Sequence, residues 1–271
     1  MILEIIKRNP VLYRLLILIR KTKLVSCLLG RKYSRSRNSI EIDITYECNL
    51  NCINCNRMCR QAPSDERMTL EQIRKFIDES IENGIKWKMV RLLGGEPTLH
   101  PDVIEMLQLL LEYKKNYSPK TDIQLSTNGA GKFVKEVISG IPEGVTINNT
   151  NKQSIINHEF CPMNIAPKDT FARFADFSNG CIVITFCGIG LTRYGYYPCA
   201  VAGAIDRVFG FDKGRKKLPL KDDDMYDQLK LFCRLCGHFR QGYTSIKEEK
   251  SPTWKKALEN YKNNKPVLSL Y

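Results

Sequence analysis

Cys48, Cys52 and Cys55 stand in the run Cys-Asn-Leu-Asn-Cys-Ile-Asn-Cys, with three and then two residues between them. Thiolates at that spacing reach one metal centre from a single loop. A four-iron iron–sulfur cluster normally takes four cysteines, so three leave one iron open to an exchangeable ligand, and an open iron implies a reacting partner. Zinc is the alternative, and it would seek a fourth thiol or imidazole close by, for which Cys59 is in reach. A second constellation lies further on. Cys187 and Cys199 flank Tyr194-Gly195, which reads as a hairpin turn, and Cys233 and Cys236 form a Cys-x-x-Cys after a helical stretch. Together they can close one tetrahedral site, for zinc or for a second cluster, with Cys181 as an alternative to Cys187. Cys161 follows His158-Glu159-Phe160. A thiol beside acid–base groups is a candidate donor of a hydrogen atom or proton, although a lone cysteine is more often buried structure.

These residues need a frame, and the pattern after residue 38 supplies one. Residues 39–46, 87–97, 121–129 and 144–149 read as strands. Between them, 68–84, 101–115 and 132–139 read as helices, the first with Thr69 as N-cap, Gln72 three residues on and Gly84 as its stop. Alternation at this pitch predicts parallel βαβ units, with functional groups gathered at the carboxyl ends of the strands. Beyond residue 150 the rhythm gives way to loops, cysteines and aromatics. Tyr194, Tyr196 and Tyr197 read as hairpin packing.

The cysteine loop after a first strand, followed some forty residues later by Gly94-Gly95-Glu96-Pro97 at the end of a second, resembles the radical SAM superfamily. The resemblance implies a [4Fe-4S] cluster on Cys48, Cys52 and Cys55, chelated by S-adenosylmethionine, whose reductive cleavage releases a 5′-deoxyadenosyl radical. Gly94 and Gly95 would let backbone approach this ligand closely and Glu96 would accept from its ammonium. Ser126 and Asn128, in Leu-Ser-Thr-Asn-Gly, match where relatives contact the ribose or carboxylate, although that run is also a good turn sequence. Relatives carry an aromatic residue where this chain has Asn54, a position that meets adenine mostly through backbone. Cys187, Cys199, Cys233 and Cys236 resemble the twitch extension, a shortened SPASM extension holding an auxiliary [4Fe-4S] cluster. The implied fold is α/β: a partial (β/α)6 TIM-like barrel over 38–180, a small cysteine-rich twitch-like extension over 181–240, and a C-terminal helix and tail over 241–271.

Ahead of the barrel, residues 1–37 form a basic amphipathic arm. The chain carries 42 Lys and Arg against 29 Asp and Glu; residues 1–40 hold ten of the bases and one acid, leaving 32 against 28 elsewhere. Positive charge confined to an arm disfavours a nucleic-acid partner for the body. Leu12, Leu15, Leu16 and Ile19 share one helical face, which either packs on the body or lies on an anionic membrane. With no clear export signal and 11 cysteines, the expected location is cytoplasmic, with peripheral contact at the inner face of the membrane through residues 1–37. The expected activity is radical hydrogen abstraction from a small polar substrate, with carbohydrate oxidation or epimerisation foremost. Peptide modification is the enzymatic alternative, disfavoured because a 40-residue arm is too short for a leader-binding domain. A zinc protein whose arm contacts RNA or membrane is the alternative of another class. The radical chemistry needs a low-potential donor of the flavodoxin or ferredoxin type, which are typically acidic and which a basic surface would attract.

Overall fold

A computed structural model describes residues 9–152, 161–240 and 247–271. His158 and Glu159 lie outside them. The strand signals become β1 (Ser39–Thr45), β2 (Met89–Gly94), β3 (Asp122–Thr127) and β4 (Val145–Asn149), and the helix signals become α3 (Leu70–Glu82), α4 (Val103–Asn116) and α5 (Lys132–Ser139), after an N-terminal pair α1 (Pro10–Arg20) and α2 (Lys23–Leu29). Thr69 and Gln72 form the reciprocal capping box that their spacing predicts, and Gly84 takes the left-handed conformation that ends α3.

β1 to β4 pair in parallel and in chain order, with Ile40 opposite Val90 and Ile123 opposite Val145. On the free edge of β1, after the short helix α6 (Ile182–Phe186), lies β5 (Ile189–Thr192), also parallel, which turns back antiparallel into β6 (Gly195–Tyr197). The open six-stranded sheet thus runs β4-β3-β2-β1-β5-β6. Four strands belong to the βα repeats and the other two come from the cysteine-rich segment, so the sheet crosses the boundary drawn at residue 180.

Alternation along each strand sorts the two faces. Ile40, Ile42, Val90, Leu92, Ile123 and Leu125 form one core against α3 and α4. A second core joins α7 (Ala200–Phe209), α8 (Tyr226–Cys233) and α9 (Pro252–Asn263) to Tyr46 and Met163. Tyr194, Tyr196 and Tyr197 are all buried, with the Tyr197 hydroxyl donating to Asp206 at 2.8 Å. Among the described residues no helix is long and apolar enough to cross a membrane.

Candidate active site

The polar face of the sheet carries a ladder of paired groups. Arg57 reaches up from the cysteine loop to Asp43 at 3.1 Å and Glu41 at 3.0 Å. Arg91 joins Glu41 at 3.1 Å to Gln124 at 2.8 Å, and Asn148 continues to Gln124 at 2.9 Å. Ser126 sits opposite Asn148 in the register. Burial pushes the Asp43 carboxyl up to about 6 against the pull of Arg57.

The cysteine loop leaves the carboxyl end of β1. Cys48 accepts from the Leu50 amide at 3.5 Å and faces the Asn128 amide nitrogen at 3.9 Å, while Lys152 Nζ stands 4.0 Å from Cys52. Donors aimed at cluster thiolates are the usual means of holding them and tuning their potential. The thiol of Cys59 donates to Cys55, which brings Cys55 down to about 6, whereas burial raises Cys52 and pushes Cys48 up to about 11. Cys59 thus stands in hydrogen-bond reach of Cys55. Asn54 is buried in the left-handed conformation and donates to the Lys247 carbonyl at 3.3 Å.

The glycine pair makes its close approach to protein. A Cβ at Gly94 would lie 2.2 Å from the Thr45 carbonyl oxygen, and one at Gly95 would lie 2.1 Å from that of Glu47. Glycine is needed here to seat the end of β2 against the start of the cysteine loop. Gly95→Ala is expected to cost about 3 kcal/mol through forced backbone displacement, read as a lower denaturant midpoint. Glu96, fully buried, receives Thr98 at 2.7 Å and Thr127 at 2.8 Å on one oxygen and the Asn128 amide at 2.7 Å on the other. It fastens the end of β2 to the end of β3, and so places Asn128 at Cys48. The Asn128 side chain also donates to Asn49 at 2.8 Å.

The cysteines of the second constellation lie in the segment that follows β4. Cys199 is the N-cap of α7, Cys233 ends α8, and Cys236 follows; all three are buried. Cys181 lies in electrostatic reach of Cys199, Cys233 and Cys236. Cys187 is turned toward Glu41 and Arg57, its thiol donating to the Glu41 carboxylate, with Cys199 a weaker neighbour. Cys161 lies 2.7 Å from Nδ1 of His238, a histidine that burial depresses to about 4. Lys21 is fully buried, donates to the Phe239 carbonyl at 2.8 Å and forms no ion pair with a carboxylate among the described residues; Cys181, Cys233 and Cys236 stand in its field. Its ammonium lies 4.0 Å from the Phe239 ring centroid and 5.3 Å from that of Tyr33, and an anion nearby would stabilise it further. The thiols there are held protonated by burial, and thiolates bound to a metal cluster would supply the negative charge.

Helix α7 ties the two constellations together. Arg207 donates to the carbonyls of Ala62 at 2.8 Å and Arg57 at 3.1 Å, clamping the cysteine loop, while Cys199 caps the same helix about 12 Å away along its axis. Among the described residues, no three His, Cys, Asp or Glu side chains converge closely enough for a single metal ion. A tetrahedral zinc site demands sulfurs within about 4 Å of one another, a demand that a larger cluster does not make. Lys21, Asn49, Lys152 and Arg207 carried no motif in the sequence; only Asn49, next to Cys48, had a position that could have marked it.

The site is thus a cysteine loop at the carboxyl end of the central strand of an open, mostly parallel α/β sheet. Residues 42–145 match the family model of the radical SAM superfamily, so this segment carries a radical SAM domain. Radical SAM domains hold a [4Fe-4S] cluster and S-adenosylmethionine, and the thiols of Cys48, Cys52 and Cys55 with their donors fit that group. The chain is 34% identical over 107 residues to a probable GTP 3′,8-cyclase of Pyrococcus horikoshii, covering 40% of this chain and 32% of that one. It is 32% identical over 99 residues to a GTP 3′,8-cyclase of Aliarcobacter butzleri, covering 36% and 29%. The chain thus spans about a third of the length of the curated relatives it matches. Among solved structures it overlaps loosely with BtrN in complex with AdoMet and 2-DOIA (TM-score 0.44, 13% identity, 81% of this chain and 98% of that one). It overlaps similarly with Streptococcus suis SuiB bound to precursor peptide SuiA (TM-score 0.40, 14% identity, 92% and 78%).

Proposed function

We propose that this radical SAM enzyme abstracts hydrogen from a small, polar, uncharged substrate of carbohydrate type, in an oxidation or epimerisation, with an auxiliary [4Fe-4S] cluster on Cys181, Cys199, Cys233 and Cys236. The observation that carries the substrate class is the polar face of the sheet. Its charges cancel, Arg57 and Arg91 against Glu41 and Asp43, and the partly exposed Arg91, Gln124 and Asn148 offer hydrogen-bonding groups that suit hydroxyls. A nucleoside triphosphate of the kind in the relatives' name would need cations in excess, and a peptide would need an extended groove.

When bound, the first cluster and S-adenosylmethionine supply a hydrogen-abstracting 5′-deoxyadenosyl radical. Glu96 positions Asn128, Arg207 fixes the cysteine loop, and Asn128 and Lys152 present donors to the thiolates. Reduction requires an acidic low-potential carrier of the flavodoxin or ferredoxin type. A separate proposal concerns location: residues 1–37 make peripheral contact with an anionic membrane.

The test is anaerobic incubation of the reconstituted, reduced enzyme with S-adenosylmethionine and deuterated neutral sugars or cyclitols. Deuterium is expected in 5′-deoxyadenosine. Transfer from a peptide alone would overturn the substrate class, and a colourless protein that leaves S-adenosylmethionine intact would overturn the chemistry.

A further inference from the structure

The N-terminal helices turn the wrong side outward for a packed arm. Ile17 and Lys21 face the body and are buried, whereas Leu15 and Ile19 are about half exposed and Leu24 and Leu28 are 72% and 74% exposed. The pair is not loosely attached. Arg20 closes the hairpin on the carbonyls of Leu29 and Gly30, Thr22 bridges Ala175, the Lys21 carbonyl accepts from the Asp176 amide at 2.7 Å, and Ser26 accepts from Asn179 at 2.7 Å. The leucines are therefore held outward by a docked scaffold.

The segment they dock on adds to the same apolar surface. Phe171 and Phe174, brought alongside by the Thr22–Ala175 bridge, are 83% and 62% exposed and meet edge to face at 6.2 Å. Of the seventeen large hydrophobic residues exposed among the described ones, nine fall in 12–29 and 171–174. Such concentration on two segments far apart in sequence marks an interaction surface.

The charge around it selects the partner. Between residues 9 and 40 there is no Asp or Glu, and Lys23, Arg31 and Arg173 are exposed at the patch or its rim. Asp169 and Asp176 flank the phenylalanines and keep their negative charge while accepting from Thr253 and Ser178, but Lys168 and Arg173 offset them within the same segment. A second copy would bring the same positive field to the interface and be repelled. Leucine and phenylalanine ringed by lysine and arginine suit the boundary of an anionic bilayer.

We infer that α1, α2 and residues 171–174 form one composite face that seats the enzyme on an anionic lipid surface. This deepens the contact proposed for residues 1–37 by giving it a second, distant half, and it stands or falls apart from the radical chemistry.

The test is flotation of the full chain with vesicles of phosphatidylcholine alone and of phosphatidylcholine mixed with phosphatidylglycerol. Wild type is expected to float with the mixed vesicles and to bind phosphatidylcholine alone at least about tenfold more weakly. Leu24→Glu with Leu28→Glu, and separately Phe171→Glu with Phe174→Glu, are each expected to weaken binding about a hundredfold. All four side chains are exposed, so an unchanged circular dichroism spectrum and melting temperature are expected to certify the fold of both variants. Failure of wild type to float overturns the inference, as does undiminished flotation of the Phe171/Phe174 variant. Self-association of wild type that these substitutions abolish, without lipid binding, assigns the face to a second copy and also overturns it.

Discussion

Cys52→Ala protein, reconstituted anaerobically, is expected to carry about four iron atoms per chain where wild type carries about eight, and to form no 5′-deoxyadenosine from S-adenosylmethionine. Cys233→Ala protein is expected to lose the same amount of iron yet still cleave S-adenosylmethionine, while failing to turn over substrate. The contrast follows from the separation of the two thiol sets. Cys52 stands in the loop at the end of β1 with Lys152 near its sulfur, whereas Cys233 is buried beside Cys181 and Cys199. Cys52 is a cleaner probe than Cys55, because Cys55 also accepts the Cys59 thiol and its loss would leave that donor unmatched. Equal iron in wild type and Cys233→Ala would remove the auxiliary cluster from the proposal. Persistent cleavage by Cys52→Ala would remove the first cluster from its loop.

The frame was legible because its signals are local. Period-two alternation in 39–46 and 121–129 and the Thr69/Gln72 box each depend on neighbours in sequence, and each produced its element within a few residues. The cysteine loop was legible for the same reason, since its spacing is itself the signal. What could not be read is set by long-range pairing. Nothing in Ile189–Thr192 announces that it lies beside Ile40–Asp43 instead of extending the far edge beyond β4. The protein contacts of Gly94, Gly95 and Glu96 were unreadable for that reason too: they meet the end of β1, the backbone of Glu47 just beyond it and the polar end of β3. The leucine stripe of α1 was visible, but the side it presents outward depended on which residues found partners, and Ile17 and Lys21 found them.

Cys181→Ala is expected to abolish the auxiliary iron as fully as Cys233→Ala does, while Cys187→Ala retains it. Spacing alone left these two cysteines open as first ligand, and burial separates them. Cys181 is fully enclosed with Cys199, Cys233 and Cys236, and Lys21 is the one charged side chain among its principal electrostatic neighbours. Cys187 faces Glu41 and Arg57 on the polar side of the sheet, where a thiolate would stand against a carboxylate. The same environment gives Lys21 a measurable effect. Burial has already brought its ammonium down to about 8, and an anion beside it would add to the ring faces of Phe239 and Tyr33 in offsetting the cost of keeping it charged. Removing that charge by Lys21→Met leaves the negative cluster uncompensated, and adding an electron then becomes harder. The auxiliary cluster of Lys21→Met is therefore expected to reduce at a potential at least about 60 mV more negative than in wild type, a tenfold change in the one-electron equilibrium, followed by electron paramagnetic resonance during a redox titration. Iron retained in Cys181→Ala but lost in Cys187→Ala would reverse the assignment, and an unchanged potential in Lys21→Met would detach Lys21 from the cluster.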